Sequence, residues 1–170
     1  HAAYFILRDD ATGAIFTDLL CEKAAAGVEV RLLVDAVGSR KAGRLLDRLR
    51  AAGGRVALFM PSQLLSGRFT VGLRNHRKIL VCDGRVGFVG GLNVGDEYLG
   101  RVPRFGHWRD THLRVTGPAT LALQRVFVED WDFASGELLT GDSYFPEPEM
   151  EGDAHVQMVW SGPDQEHNAS

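Results

Sequence analysis

The sequence predicts an α/β fold: a mixed, mostly parallel sheet flanked by helices. Two observations carry this. Apolar runs alternate with helical stretches through the first part of the chain, a βαβαβ series that implies parallel strands joined by right-handed crossovers. An Asp83-Gly84 pair then separates two further apolar runs, as the turn of a β-hairpin does. A length of 170 residues, with 45% hydrophobic and 24% charged residues, suits one globular domain with a sizeable core.

Taken in order, Tyr4 to Leu7 reads as a short buried strand. A helix follows from about Ala11 to Ala26, with Ile15, Leu19 and Leu20 on one face and Gly27 as its stop. Val28 to Asp35 alternates at first and is then fully apolar, as a strand covered on both faces is. Ser39 can cap a second helix to about Ala52, which turns Leu45, Leu46 and Leu49 inward before Gly53-Gly54 ends it. Val56 to Met60 is the next strand, closed by Pro61, and Ser62 to Arg74 is a loop.

The hairpin follows. With Asp83 and Gly84 as a two-residue turn, His76 faces Gly91 and Lys78 faces Val89. Side chains alternate between faces with period two, so His76 and Lys78 share a face with Asn93, while Asp83 falls in the turn. Gly91 leaves room above the imidazole. A nucleophile or base, a fixed cation and an amide donor on one patch suit an oxyanion, most plausibly a phosphate. Asn93 to Gly106, with its glycines and Pro103, is an irregular loop. Trp108 to Val115 is a strand with Thr111, Leu113 and Val115 on one face and Asp110, His112 and Arg114 on the other. Gly117-Pro118 opens a helix whose apolar stripe is Leu123, Val126, Phe127, Trp131 and Ala134. Residues 1–134 thus form the folded unit. Residues 135–153, rich in Pro, Gly and acids, read as a linker, and residues 154–170 as the start of a second unit that opens with a strand at His155 to Trp160.

The net charge of −3 provides no global basic field, so no nucleic-acid partner is expected. Positive charge clusters locally at Arg68, Arg74, Arg77, Lys78 and Arg85. Cys21 and Cys82 lie in apolar contexts that read as buried. Two cysteines make no disulfide framework, so a reducing compartment is the default. No signal peptide is visible, and no apolar run approaches the ~18–20 residues of a membrane span.

His76-x-Lys78-x4-Asp83, followed by Gly90-Gly91-Leu92-Asn93, resembles the signature of the phospholipase D superfamily, H-x-K-x4-D and then G-[SG]-x-N. The blocks Leu32 to Arg40, Asn75 to Lys78, Gly91 to Tyr98, Trp108 to His112, Glu129-Asp130-Trp131 and Ser161 to Asp164 look like its bacterial cardiolipin synthase branch. The resemblance implies a phospholipase D-like half-domain with one catalytic motif. It also implies phosphatidyl transfer between two phosphatidylglycerols through a phosphohistidine, with release of glycerol. His76 would be one of two motif histidines, as nucleophile or general acid, and Lys78 and Asn93 would hold phosphate oxygens. Asp110 matches an acid that orients the imidazole, a role preferred for it over Asp83. Gly91, Glu97 and Arg77 would border the substrate. No metal or other cofactor is implied, because two histidines and two lysines supply the charge.

The family's site is assembled from two motifs. The second would come from residues in cis or from a homodimer partner, and the site would meet its phospholipid at the cytoplasmic side of the cell membrane, with any anchor outside this chain. The competing reading is a metal-independent phosphodiesterase, a phospholipase D or nuclease, acting as a homodimer. Plainer roles stand beside these: Asn93 as a turn cap, Asp110 as an ion-pair partner of Arg109 or Arg114, Lys78 as a snorkelling surface lysine.

Overall fold

The computed structural model describes residues 1–60, 74–150 and 152–159. Its centre is a six-stranded sheet in the order β3-β2-β1-β4-β5-β6. Strands β1 (Ala2–Tyr4), β2 (Arg31–Asp35) and β3 (Arg55–Phe59) pair in parallel. β4 (Ile79–Cys82), β5 (Val86–Gly90) and β6 (His112–Thr116) extend the sheet through antiparallel pairings. β1, β2, β3 and β5 therefore run one way and β4 and β6 the other, the mixed α/β sheet that the βαβαβ series and the hairpin imply.

Helices cover both faces. Period-two alternation sends Ala2, Leu32 and Val34 to one side, where they meet Leu45, Leu46 and Leu49 of α2 (Gly43–Ala51) and Ala14, Phe16 and Leu20 of α1 (Ala11–Ala25). Ala3, Leu33, Ala57, Ile79 and Val81 point the other way, into Leu123, Val126, Phe127 and Trp131 of α3 (Pro118–Ser135). The α3 stripe is the expected one, opened by Pro118 at the first helical turn.

Several elements differ from the sequence expectation for physical reasons. In α1 the buried positions are Gly13 and Thr17, while Ile15 and Leu19 are 55% and 53% exposed. Close approach explains the inversion: a Cβ on Gly13 would strike the Arg8 carbonyl and Leu45, so only a small residue fits there. Ser39 does not cap a helix. Its hydroxyl accepts from Leu7 N at 2.9 Å and donates to Phe5 O at 3.2 Å, pinning the chain just after β1, and α2 begins four residues later. The first strand ends at Tyr4, where it was expected to begin, and Leu7 contributes only an isolated parallel bridge to Val94.

The hairpin register is also shifted. Asp83 and Gly84 both adopt left-handed backbone (φ 54° and 67°), as a type I′ turn requires. The ladder, however, resumes with Cys82 opposite Val86, leaving Arg85 as an extra residue. Each expected partner moves by one: Val89 pairs with Ile79, and Gly90 N donates to Lys78 O at 3.4 Å. Cys82 is exposed at this turn rather than buried, and Cys21 is half-buried. β6 is an edge strand that starts at His112, so Trp108 to Asp110 precede the ladder, and Leu113 is 56% exposed.

Residues 136–150 pack rather than dangle. Leu139 is buried, and Tyr144 and Phe145 lie against the α3-side core. Glu137 accepts from Arg31 at 3.0 Å, from Trp131 Nε1 at 3.0 Å, and from Arg55. The strand expected from His155 is not formed over residues 155–159. Trp160, the block Ser161 to Asp164, and the loop residues 61–73 with Arg68 lie outside the described residues.

Candidate active site

The topology brings the carboxyl ends of β1, β2, β3 and β5 and the amino ends of β4 and β6 to one rim of the sheet. Ligands of open α/β sheets bind at such an end, because the chain leaves the strands there through loops that can carry chemistry. Phe5 follows β1, Asp35 ends β2, His76 and Lys78 precede β4, Gly91 and Asn93 follow β5, and Asp110 precedes β6.

Lys78 is 3% exposed. Its Nζ donates to the His76 carbonyl at 2.5 Å, lies 2.9 Å from His76 Nδ1, and sits 5.6 Å from the centre of the Phe5 ring. Burial lowers its pKa to about 8, against the pull of the Asp110 carboxylate towards the ammonium. The His76 side is more open. Its ring leans on Phe5 at 4.9 Å between centroids, and burial first, then Lys78, holds its pKa below the usual 6.5. His76 is thus neutral at pH 7. An ammonium donor on Nδ1 favours the tautomer that carries its proton on Nε2.

The remaining expected residues are placed as follows. Asp110 faces Gly91: a Cβ there would collide with the carboxylate, so serine at this position could be seated only if Asp110 moved. Asp110 Oδ1 accepts from Thr111 N at 2.7 Å, and among the described residues no hydrogen bond joins it to His76. Asn93 uses its side-chain oxygen to accept from Ile6 N at 3.0 Å, tying the chain after β5 to the extension of β1. It is not hydrogen-bonded to His76 or Lys78 among the described residues. Asp83 is in the hairpin turn, at the opposite end of β4 from His76. Glu97, in a short 3-10 turn (Asp96–Leu99), is held by the Arg8 guanidinium at 2.9 Å and 3.1 Å. Arg77 turns to α3, where it donates to Asp130 at 2.5 Å. His76, Lys78, Gly91 and Asp110 therefore cluster, while Asn93, Glu97 and Arg77 have structural partners and Asp83 is remote.

Four residues were not assigned a role from the sequence. Phe5 is the apolar floor beneath imidazole and ammonium. Asp35 is buried, with Oδ1 accepting from Val37 N and Gly38 N at 2.9 Å and Oδ2 3.7 Å from Arg74. Asn75 and Asp130 form a buried pair beside His76. A signal for Asp130 was present: it lies four residues after Val126 and next to Trp131, on the apolar side of α3, where an unpartnered acid would be costly. Among the described residues no helix is long and apolar enough to cross a membrane.

A rim carrying H-x-K before one strand and G-G-x-N after the next defines a phospholipase D-like half-domain. A polyphosphate kinase from Porphyromonas gingivalis shares the fold, with a TM-score of 0.52 over 80% of this chain and 21% of that one at 18% identity. The chain belongs to the cardiolipin synthase family: the family model described as "Cardiolipin synthase, PLD-like domain" matches residues 2–131. It is 48% identical over 167 residues to the cardiolipin synthase of Alkalihalophilus pseudofirmus, covering 96% of this chain and 33% of that protein. It is 45% identical over 169 residues to the major cardiolipin synthase of Bacillus subtilis, covering 98% and 35%. The chain spans about a third of the length of the curated relatives it matches.

Proposed function

We propose that this chain supplies one half of a phosphatidyltransferase site that makes cardiolipin from two phosphatidylglycerols at the cytoplasmic face of a membrane. The observation that carries this is the pair His76 and Lys78 on the rim: a neutral imidazole beside a buried ammonium, in a chain of the cardiolipin synthase family.

His76 acts as the nucleophile. The diester phosphate draws the Lys78 ammonium from Nδ1 onto its own oxygens, so the imidazole proton moves through solvent from Nε2 to Nδ1, where Asp110 can accept it in a hydrogen bond, and Nε2 is left unprotonated. Nε2 then attacks phosphorus and the bond to the glycerol oxygen breaks. The departing glycerol takes its proton from the histidine of the second half. That histidine next accepts the proton of the hydroxyl of a second phosphatidylglycerol, whose oxygen attacks phosphorus. The P–N bond breaks, and His76 returns neutral. Most of the catalysis is positioning and charge stabilisation, since phosphoryl transfer demands little else of the protein. The second half comes from a further motif in cis or from a partner chain, and the phospholipid is met at the membrane surface.

The test is to incubate the full-length enzyme with phosphatidylglycerol vesicles. Cardiolipin and glycerol should form in equal amounts, and a ³²P-labelled phosphatidyl group should be trapped on the peptide containing His76. His76→Ala should abolish both. Turnover of a different diester with no cardiolipin formed would sink the assignment.

A further inference from the structure

Residues 74–78 reach the rim outside any strand, since β4 begins only at Ile79. Apart from the Gly90 N–Lys78 O bond at its far end, no ladder hydrogen bond among the described residues fixes the backbone that carries His76. A different set of bonds does. Asn75 Nδ2 donates to Asp130 Oδ2 at 2.8 Å, and Arg77 Nη1 donates to Asp130 Oδ1 at 2.5 Å. Asn75 Oδ1 in turn accepts from Arg77 N at 3.0 Å. The two neighbours of His76 are thereby bound to the two oxygens of one carboxylate and to each other, with Asn75 6% and Asp130 7% exposed.

We infer that Asp130 is a positioning residue: from α3 it clamps Asn75 and Arg77 and so sets where the His76 imidazole points, without touching substrate. The inference rests on the reading of His76 as the reacting group and assigns Arg77 to the clamp instead of the substrate. The chemistry of the pair supports it. Arg77 fits a carboxylate by charge-assisted donation, and the amide of Asn75 is a donor and an acceptor at once, so it can close the ring between Asp130 and the Arg77 backbone. Burial pushes the Asp130 pKa up, while Arg77 and Asn75 pull it back down, so both partners favour the charged carboxylate.

The inference is tested in the full-length enzyme with two variants. Asp130→Asn keeps an acceptor for one partner but turns an amide N–H₂ on the other. Loss of alignment should lower kcat by about 10²-fold with KM changed less than about twofold, since a misplacement of about 1 Å costs that much. In parallel, carbethoxylation of His76 by diethyl pyrocarbonate, read by mass spectrometry, reports the imidazole's surroundings without reference to turnover. Its rate should rise severalfold as the ring leaves Phe5 and Lys78.

Arg77→Gln retains the Asp130–Asn75 bond and serves if the first variant does not fold; it should lower kcat about tenfold and leave KM alone. An Arg77→Gln enzyme with raised KM and intact kcat would make Arg77 a substrate ligand and overturn the clamp. So would a folded Asp130→Asn enzyme whose His76 modification rate is unchanged. If the modification rate rises while turnover stays normal, the clamp stands and the catalytic reading of His76 fails.

Discussion

At the scale of single residues, the decisive quantity is the ionisation of Lys78. Its pKa is lowered to about 8 by burial, so the free enzyme loses the ammonium as pH rises through that value. His76 is lowered as well, by burial first and then by Lys78, which keeps it neutral down to pH values below 6.5. A nucleophilic His76 with a cationic Lys78 therefore predicts an acid limb of kcat/KM below pH 6.5 and an alkaline limb near pH 8. Because kcat/KM reports free enzyme, the limb in kcat should sit higher, where bound phosphate stabilises the ammonium. Lys78→Arg, which stays charged, should move the alkaline limb of kcat/KM upward even as it lowers the rate through poorer fit. A limb near 8 that is indifferent to this substitution would assign it to some other group. These two residues were readable in the sequence because their spacing is local. The roles of Phe5 and Asp130 were not, although an acid on the apolar side of α3 marked Asp130 as partnered: both come from elements far away in the chain, and only the folded sheet and α3 bring them to His76.

At the scale of elements, the sequence was most informative where burial is carried by large apolar side chains and least where it is carried by small ones. α2 and α3 show their leucines and aromatics at helical spacing and pack on that side. α1 does so only in part, because its fully buried positions are Gly13 and Thr17, whose hydroxyl donates to the Gly13 carbonyl at 2.8 Å, with Phe16 and Leu20 half-buried beside them. Counting hydrophobic residues selects Ile15 and Leu19 instead. The two readings predict opposite mutational behaviour. Ile15→Lys and Leu19→Gln should change the stability of this chain by no more than about 0.5 kcal/mol, the range of ordinary surface substitutions. Gly13→Val should cost about 3 kcal/mol or more, because the added carbons meet a backbone carbonyl that cannot rotate away. Urea unfolding of the three variants separates the readings, and a reversed order would restore the leucine face. The hairpin teaches a related lesson. Asp83-Gly84 correctly signals a turn, yet Arg85 is inserted beside it, and a single extra residue moves Lys78 from opposite Val89 to opposite Gly90. Asp-Gly signals the turn, whereas nothing in the composition marks the extra residue beside it.

At the scale of the whole molecule, the question is where this folding unit ends. Proline, glycine and acidic residues made residues 135–153 look like a linker, but composition is silent about a few well-placed contacts. Leu139 is 3% exposed against the α3-side core, and Glu137 completes the surroundings of Arg31, a guanidinium that is itself 2% exposed at the start of β2. Arg31 also holds Glu29 at 2.8 Å and lies against the rings of Trp131 and Tyr144. Removing residues after Ser135 would uncover the leucine's site, worth about 2–3 kcal/mol, and would strip a buried cation of one of its carboxylates, which is costlier than never having built the pair. A chain ending at Ser135 should therefore unfold at clearly lower urea than one ending at Met150. The difference should also depend on pH in a defined direction. The Arg31 bond above all holds the Glu137 carboxyl down to about 2, from an ordinary 4.5. A depressed carboxylate contributes stability above its unfolded pKa and loses it as pH falls towards the folded one. The gap between the two chains should accordingly be widest above pH 4.5 and narrow as pH is lowered towards 2, leaving the part due to Leu139, Tyr144 and Phe145. Equal urea midpoints at pH 7 would return residues 136–150 to the status of a linker and place the boundary of the unit at the end of α3.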